Sequence, residues 1–227
     1  MAKALICDLD GTLFDTYPEI YAAVAAAARG LGLELAADEQ AARGFMGGGL
    51  SRFAKRVLTG EMDGEPDPED HERLFKRAQL EYKHLLLSRN SLYDGVPETL
   101  RDLREEGWQL AIATNKLEMF TRPLLECFLG DIDFACVRCR DSQPQAKPDP
   151  AMVHDILARL GLAPVQALFV GDTLVDVATA RAAGVRMIGV SYGYHLGEDA
   201  RELGADHLID DFAELLPLVR RLVPAGK

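Results

Sequence analysis

No apolar run in this 227-residue chain reaches the roughly 18–20 residues that a membrane span needs. The opening Met1-Ala2-Lys3-Ala4 leads straight into a short apolar run, without the apolar length or small-residue cleavage site of a secretory leader. A soluble, cytoplasmic protein is therefore expected. Positive charge is also short: 25 Lys and Arg against 36 Asp and Glu leave a formal net charge of -11. Such a surface repels nucleic acid and anionic membrane, and neither is expected as a partner. Any anionic substrate must then be drawn into a locally positive site, made by placed Lys or Arg residues or by metal. Cysteine is sparse, with four in the chain. Cys136 and Cys139 form a lone C-x-x-C with no second pair and no neighbouring histidine, which argues against zinc. Reduced thiols packed as small hydrophobes are the expectation.

What is present is an ordinary globular balance, 48% hydrophobic and 27% charged. The length suits one large domain or a core with a smaller companion. Short apolar runs at Ala4–Leu9, Leu110–Thr114, Ala167–Val170 and Arg186–Val190 read as buried strands, with weaker ones at Phe134–Val137 and His207–Ile209. Helical patterns fall between them, at Val96–Glu106, Lys116–Phe128, Pro150–Leu160, Val175–Ala183 and Phe212–Leu222. That alternation predicts an α/β fold with a mostly parallel sheet covered on both faces. In such sheets ligands bind beyond the carboxyl ends of the strands.

Residues 15–90 break the rhythm and contain no convincing strand. Ile20, Val24, Ala27, Ala28 and Leu31 repeat at helical spacing up to Gly32, and Leu74, Ala78, Glu81, Tyr82 and Leu85 repeat again. The chain thus divides into an α/β core, residues 1–14 and 91–227, and a helical unit, 15–90, inserted after the first strand. Asp15-Thr16 and Ser88–Tyr93 read as the linkers and hinges between them.

Four clusters carry chemistry. Asp8-Leu9-Asp10-Gly11-Thr12-Leu13 follows the first strand. Two carboxylates so close repel unless a cation or a shared proton compensates, and hard oxygen ligands suit Mg²⁺. A lone D-x-D is also an ordinary acidic turn. Gly171-Asp172-Thr173 closes another strand, putting Asp172 into the same crevice, and Asp176 follows in the first helical turn. Asp176 is a candidate both to cap that helix and to orient the waters of a metal. Thr114-Asn115 offers a hydroxyl and backbone N–H groups at a helix start, a phosphate-binding arrangement or an N-cap for a helix from Lys116. Lys147-Pro148-Asp149-Pro150 fixes the backbone so that Lys147 can reach a phosphate, though alone it reads as a surface lysine.

Together these four elements, in this order, resemble the signatures of the haloacid dehalogenase superfamily over nearly the whole chain, and phosphoglycolate phosphatase-like members most of all. The tail Gly189-Val190-Ser191-Tyr192-Gly193-Tyr194 resembles that subgroup too. The resemblance implies a doubly wound, Rossmann-like core with a small helical cap. It implies a Mg²⁺-dependent phosphatase in which Asp8 attacks phosphorus and forms an aspartyl-phosphate, and Asp10 serves as acid and then base. It further implies Mg²⁺ on Asp8, Asp10 and Asp172, and phosphoryl oxygens held by Thr114, Asn115 and Lys147. Dehalogenase members lack an aspartate at the place of Asp10, because a halide leaves without a proton; Asp10 therefore points to phosphoryl transfer.

The cap is expected to choose a small phosphorylated metabolite. The stretch Arg43-Gly44-Phe45-Met46-Gly47-Gly48-Gly49-Leu50 is the candidate specificity loop, with Gly47 and Gly48 permitting close approach and Arg43 or Arg52 available to a substrate carboxylate. A monomer or homodimer is expected. Phosphoglycolate leads among substrates; a phosphomutase, or a nucleotide or pyrophosphate phosphatase of the same superfamily, is the alternative. Outside the superfamily, a phospho-acceptor signalling module also uses an acidic pocket with Asp, Thr and Lys, but its single domain has no place for residues 15–90.

Overall fold

The computed structural model describes residues 3–88, 92–195 and 199–222. Residues 89–91 of the expected second linker lie outside these. Strand β1 (Lys3–Cys7) is followed by helices α1 (Tyr17–Leu31), α2 (Glu39–Ala42), α3 (Leu50–Thr59) and α4 (Pro68–Leu85). Then come α5 (Val96–Glu105), β2 (Trp108–Ala113), α6 (Glu118–Phe128), β3 (Phe134–Arg138), α7 (Ala151–Leu160), β4 (Ala167–Gly171) and α8 (Leu174–Ala182). The chain continues through β5 (Arg186–Val190), β6 (His207–Ile209) and α9 (Leu215–Leu222). The strands form one parallel sheet in the order β3-β2-β1-β4-β5-β6. The winding reverses at β1, between β2 on one side and β4 on the other, so a crevice opens at the carboxyl end of β1.

The strands are apolar on both faces because both faces are covered. In β1, Leu5 and Cys7 join one apolar layer while Ala4 and Ile6 join the other. The same period-2 split separates Leu110 and Ile112 from Ala111 and Ala113, and Leu168 and Val170 from Ala167 and Phe169. Met152, Val153 and Ile156 of α7 and Val177 and Ala180 of α8 cover the second layer. Leu100 of α5, Leu124 of α6 and Val219 of α9 cover the first. That first layer is continuous with Val24 of α1, Phe53 of α3 and Leu74 of α4.

Helix ends follow ordinary capping chemistry. Gly32 takes the left-handed conformation (φ 68°) that stops α1. The Asp67 carboxylate accepts from the N–H groups of Glu69 and Asp70 at 2.9 and 3.1 Å, with Pro68 at the first position of α4. The segments on either side of the insertion meet at Phe14 and Leu92, which form an antiparallel bridge, and the Tyr93 N–H donates to the Leu13 carbonyl at 3.0 Å. No helix among the described residues is long and apolar enough to cross a membrane.

Candidate active site

Parallel pairing carries one step past the end of β1: the Asp8 N–H donates to the Val170 carbonyl at 2.9 Å. The chain then folds into a tight turn, with Leu13 and Phe14 both donating to the Leu9 carbonyl. Gly11 sits in this turn at φ 82°, and a Cβ there would lie 2.1 Å from Asp172 Oδ2. Neither the backbone angle nor the space admits a side chain. Gly193 closes on the same aspartate from the other side, where a Cβ would stand 2.3 Å from Asp172 Cβ.

Asp172 is fully buried in that cradle. It accepts from the Thr12 hydroxyl at 3.3 Å and from the Tyr194 N–H at 2.8 Å. Burial, with Asp176 and Asp8 adding repulsion, holds its carboxyl well above the usual range. Burial also pushes Asp8 up to about 7; Lys147 opposes this, while Asp176 and Asp10 reinforce it. Ligand oxygens of Asp8, Asp172 and Asp176 all lie within 4.8 Å of one another.

Lys147 is the cation inside this cluster. It is buried, with Nζ 2.8 Å from Asp8 Oδ1 and 2.7 Å from Asp176 Oδ1. Desolvation alone would lower its pKa, but Asp176 and Asp8 outweigh it and hold the ammonium above its ordinary value. Asp176 takes the capping role its position allowed: its other oxygen accepts from the Thr173 N–H (3.1 Å) and hydroxyl (2.7 Å) at the start of α8. Both oxygens of Asp176 are thus engaged, one by Lys147 and one by Thr173. Three carboxylates against one ammonium leave a surplus of negative charge among hard oxygens. A small divalent cation fits that donor set.

Thr114 and Asn115 leave the end of β2. Thr114 is buried, its N–H on the Arg138 carbonyl at 2.9 Å, and its hydroxyl accepts from the Lys116 N–H at 3.1 Å. The pair does not cap α6. That helix starts at Glu118, whose N–H is taken by Asp141 Oδ1 at 2.9 Å. The Asn115 side chain instead makes two reciprocal bonds to the backbone of Lys147, each 2.9 Å, and so fixes the loop that delivers the lysine.

Asp10 stands apart from the acidic cluster. Its Oδ1 accepts from the Thr16 hydroxyl at 2.7 Å and from Lys116 Nζ at 2.8 Å. Lys116 is buried and also donates to the Tyr82 hydroxyl of α4 at 2.7 Å. Sequence reasoning missed Lys116 and Tyr82. A loop lysine reads as solvated, and a tyrosine on the apolar stripe of a helix reads as core.

Above these residues is a cavity of about 330 Å³. Asp8, Asp10, Thr114, Asn115 and Lys147 line one side; Met46, Gly47, Gly48, Gly49, Phe53 and Tyr82 line the other. Gly47, Gly48 and Gly49 all have positive φ (124°, 81° and 92°), and a Cβ on Gly49 would approach the Asn115 carbonyl at 3.1 Å. The glycine loop is held from behind by buried Arg56, which donates to the Phe45, Gly47 and Met62 carbonyls at 2.9, 3.0 and 3.0 Å.

Arg43 and Arg52 are not among the lining residues. Arg43 pairs with Asp15 at 3.4 Å and lies over the rings of Tyr17 and Tyr194. Arg52 lies along Gly48. Arg140, in the loop after β3, does line the cavity.

A family model described as haloacid dehalogenase-like hydrolase matches residues 2–184. The chain is 38% identical over 222 residues to the phosphoglycolate phosphatase of Nitrosospira multiformis, covering 96% of each chain. It is 37% identical over 220 residues to that of Thiobacillus denitrificans, again covering 96% of each. Among solved structures, a predicted phosphoglycolate phosphatase from Haemophilus somnus superposes with a TM-score of 0.87 at 30% identity, covering 96% of this chain and 98% of that one. CbbY from Rhodobacter sphaeroides, solved in complex with phosphate, superposes with a TM-score of 0.77 at 25% identity, covering 95% and 96%.

Proposed function

Because the chain belongs to the haloacid dehalogenase-like hydrolase family, we propose that it is a Mg²⁺-dependent phosphatase of a small phosphomonoester, with phosphoglycolate the leading substrate. The names of the full-length relatives support the substrate class. A cavity of about 330 Å³ suits a small metabolite. Residues 15–90 would act as the cap over that cavity.

One observation carries the mechanism: two carboxylates two residues apart have different partners. Asp8 faces the acidic cluster and Lys147, while Asp10 is held outside it by Lys116 and Thr16. Carboxylates in contrasting environments take contrasting roles. A carboxylate oxygen of Asp8 forms the bond to phosphorus as the ester P–O bond breaks. Asp10 gives its proton to the departing alkoxide, a poor leaving group for which such an acid is worth roughly 10²–10⁴ in rate. Asp10 then takes a proton from the water that attacks the aspartyl-phosphate, releasing inorganic phosphate and restoring Asp8. Thr114, the Asn115 backbone N–H and Lys147 hold the phosphoryl oxygens, where charge stabilisation matters most. Asp8, Asp172 and the Asp10 backbone carbonyl would hold Mg²⁺, which when bound lets an anionic carboxylate approach an anionic phosphate.

Phosphate release from a panel of monoesters, with and without Mg²⁺, tests this reading. Turnover of phosphoglycolate that requires the metal is expected, and Asp8→Asn should abolish turnover of every ester. Metal-dependent turnover persisting in Asp8→Asn would contradict it.

A further inference from the structure

The described residues contain a buried chain of polar contacts that links the helical insertion to Asp10. Tyr82, on α4, is 2% exposed and packs its ring edge-on against Phe120 of α6, with centroids 4.9 Å apart. Its hydroxyl accepts from Lys116 Nζ at 2.7 Å, and the same ammonium donates to Asp10 Oδ1 at 2.8 Å. Lys116 is 6% exposed, so this ammonium is held by protein groups rather than by bulk water. Both Tyr82 and Lys116 line the cavity, so the chain runs along its wall.

An ammonium has three protons and a flexible four-carbon stem, so one partner does not fix its position. The Tyr82 hydroxyl supplies a second, rigid partner. Its ring is locked between α4 and α6, so it sets Nζ relative to both elements. Nζ in turn sets the carboxylate of Asp10, with the Thr16 hydroxyl fixing the same oxygen at 2.7 Å.

We propose that Tyr82 and Lys116 are positioning residues for Asp10: the hydroxyl from α4 holds Lys116, and Lys116 holds the acid/base carboxylate in line with the scissile oxygen. The position of α4 is thereby transmitted to Asp10. The inference rests on the acid/base role given to Asp10 above.

The test compares two esters in the presence of Mg²⁺. One is 2-phosphoglycolate, or the best alkyl phosphate of the panel, whose alkoxide needs a proton to leave. The other is p-nitrophenyl phosphate, whose phenolate leaves with little help. The ratio of kcat/KM between them reads acid assistance at the first chemical step, and a purely structural defect does not move it. Tyr82→Phe keeps the ring and its packing; it should lose about 10-fold on the alkyl ester and less than about 2-fold on the aryl ester. Lys116→Met should show the same selectivity with a larger loss. In an Asp10→Asn background neither substitution should lower alkyl ester turnover further.

Equal losses on both esters, or full additivity with Asp10→Asn, would overturn the inference. Asp10→Asn alone separates the two levels. If it is selective and Tyr82→Phe is not, the positioning role fails and the acid/base reading survives. If Asp10→Asn is itself not selective, both fall. Should Lys116→Met not fold, Tyr82→Phe still decides the question, because it removes only an oxygen.

Discussion

The Tyr194 hydroxyl accepts a hydrogen bond from the Thr16 backbone N–H at 2.8 Å, across 178 residues of sequence. It accepts a second from the Tyr17 N–H at 2.9 Å and donates to Asp15 Oδ1 at 2.9 Å. One donor and two acceptor sites are all that a tyrosine hydroxyl has. The N-terminus of α1 is thus capped by a residue that follows β5. The local candidate, Thr16, has its own hydroxyl committed to Asp10. Because the Tyr194 N–H also holds Asp172, one residue joins the acidic cluster to the segment that leads into α1.

Tyr194→Phe should therefore destabilise the protein by about 2 kcal/mol, since it leaves the buried Thr16 N–H unpaired and the Tyr17 N–H with only a long contact to Asp15 Oδ1 at 3.4 Å. Urea denaturation of the variant and the parent measures the difference. A change below about 0.5 kcal/mol would mean that this segment reorganises to satisfy these groups.

The raised pKa of Asp8 gives a pH prediction with a definite sign. Its folded value of about 7 lies above the ordinary value of 3.8. The native state therefore keeps a proton that the unfolded chain has lost. Stability from this group is highest below the ordinary value and is lost as pH rises toward 7. Asp172 is shifted in the same direction and extends the loss. The metal-free protein should melt at lower temperature at about pH 7.5 than at about pH 5, with a smaller difference in Asp8→Asn. Added Mg²⁺ needs the ionised carboxylates and should raise the Tm more at the higher pH.

The reciprocal bonds between Asn115 and the Lys147 backbone predict that Asn115→Ala acts at a distance. Freeing that loop lets Lys147 drift from Asp8. A misplacement near 1 Å costs roughly 10²-fold, so kcat/KM should fall by about that factor while the fold persists. Steady-state kinetics beside circular dichroism distinguishes this from unfolding.

Arg140 lines the cavity and Arg43 and Arg52 do not, so it is the better partner for a substrate carboxylate. Arg140→Gln should raise KM for phosphoglycolate by roughly 10-fold and leave an ester with an uncharged tail nearly unchanged. Arg43→Ala, which loses a partly exposed pair with Asp15, should leave both KM values near wild type and cost under about 1 kcal/mol in stability.

The sheet was legible because its strands are buried on both faces and stand as short apolar runs; Arg186–Val190 and His207–Ile209 coincide with β5 and β6. The meeting of Asp8, Asp172 and Thr114 was legible because each sits at or just beyond a strand end, where parallel topology forces convergence; Lys147 lies in the loop between β3 and α7 and is brought in by Asn115. Lys116 was hidden for a physical reason. The spacing starts a helix there, but Asp141 caps Glu118 instead, and Lys116 stays in the loop with its ammonium on Asp10. Arg56 was hidden because three backbone carbonyls, which no sequence pattern announces, satisfy its buried charge. Arg43 misled in the opposite sense: a cap arginine near a glycine loop suggests substrate contact, yet its partners are Asp15 and two tyrosine rings.

If Asp8 is the nucleophile, its carboxylate carries the phosphoryl group during turnover. The most direct measurement is peptide mapping of enzyme quenched in acid while it turns over an alkyl phosphate with Mg²⁺. A phosphoryl group is expected on the peptide containing Asp8, lost on chase and absent from Asp8→Asn. A phosphoryl group on a different residue, or one that still forms in Asp8→Asn, would contradict that role for Asp8.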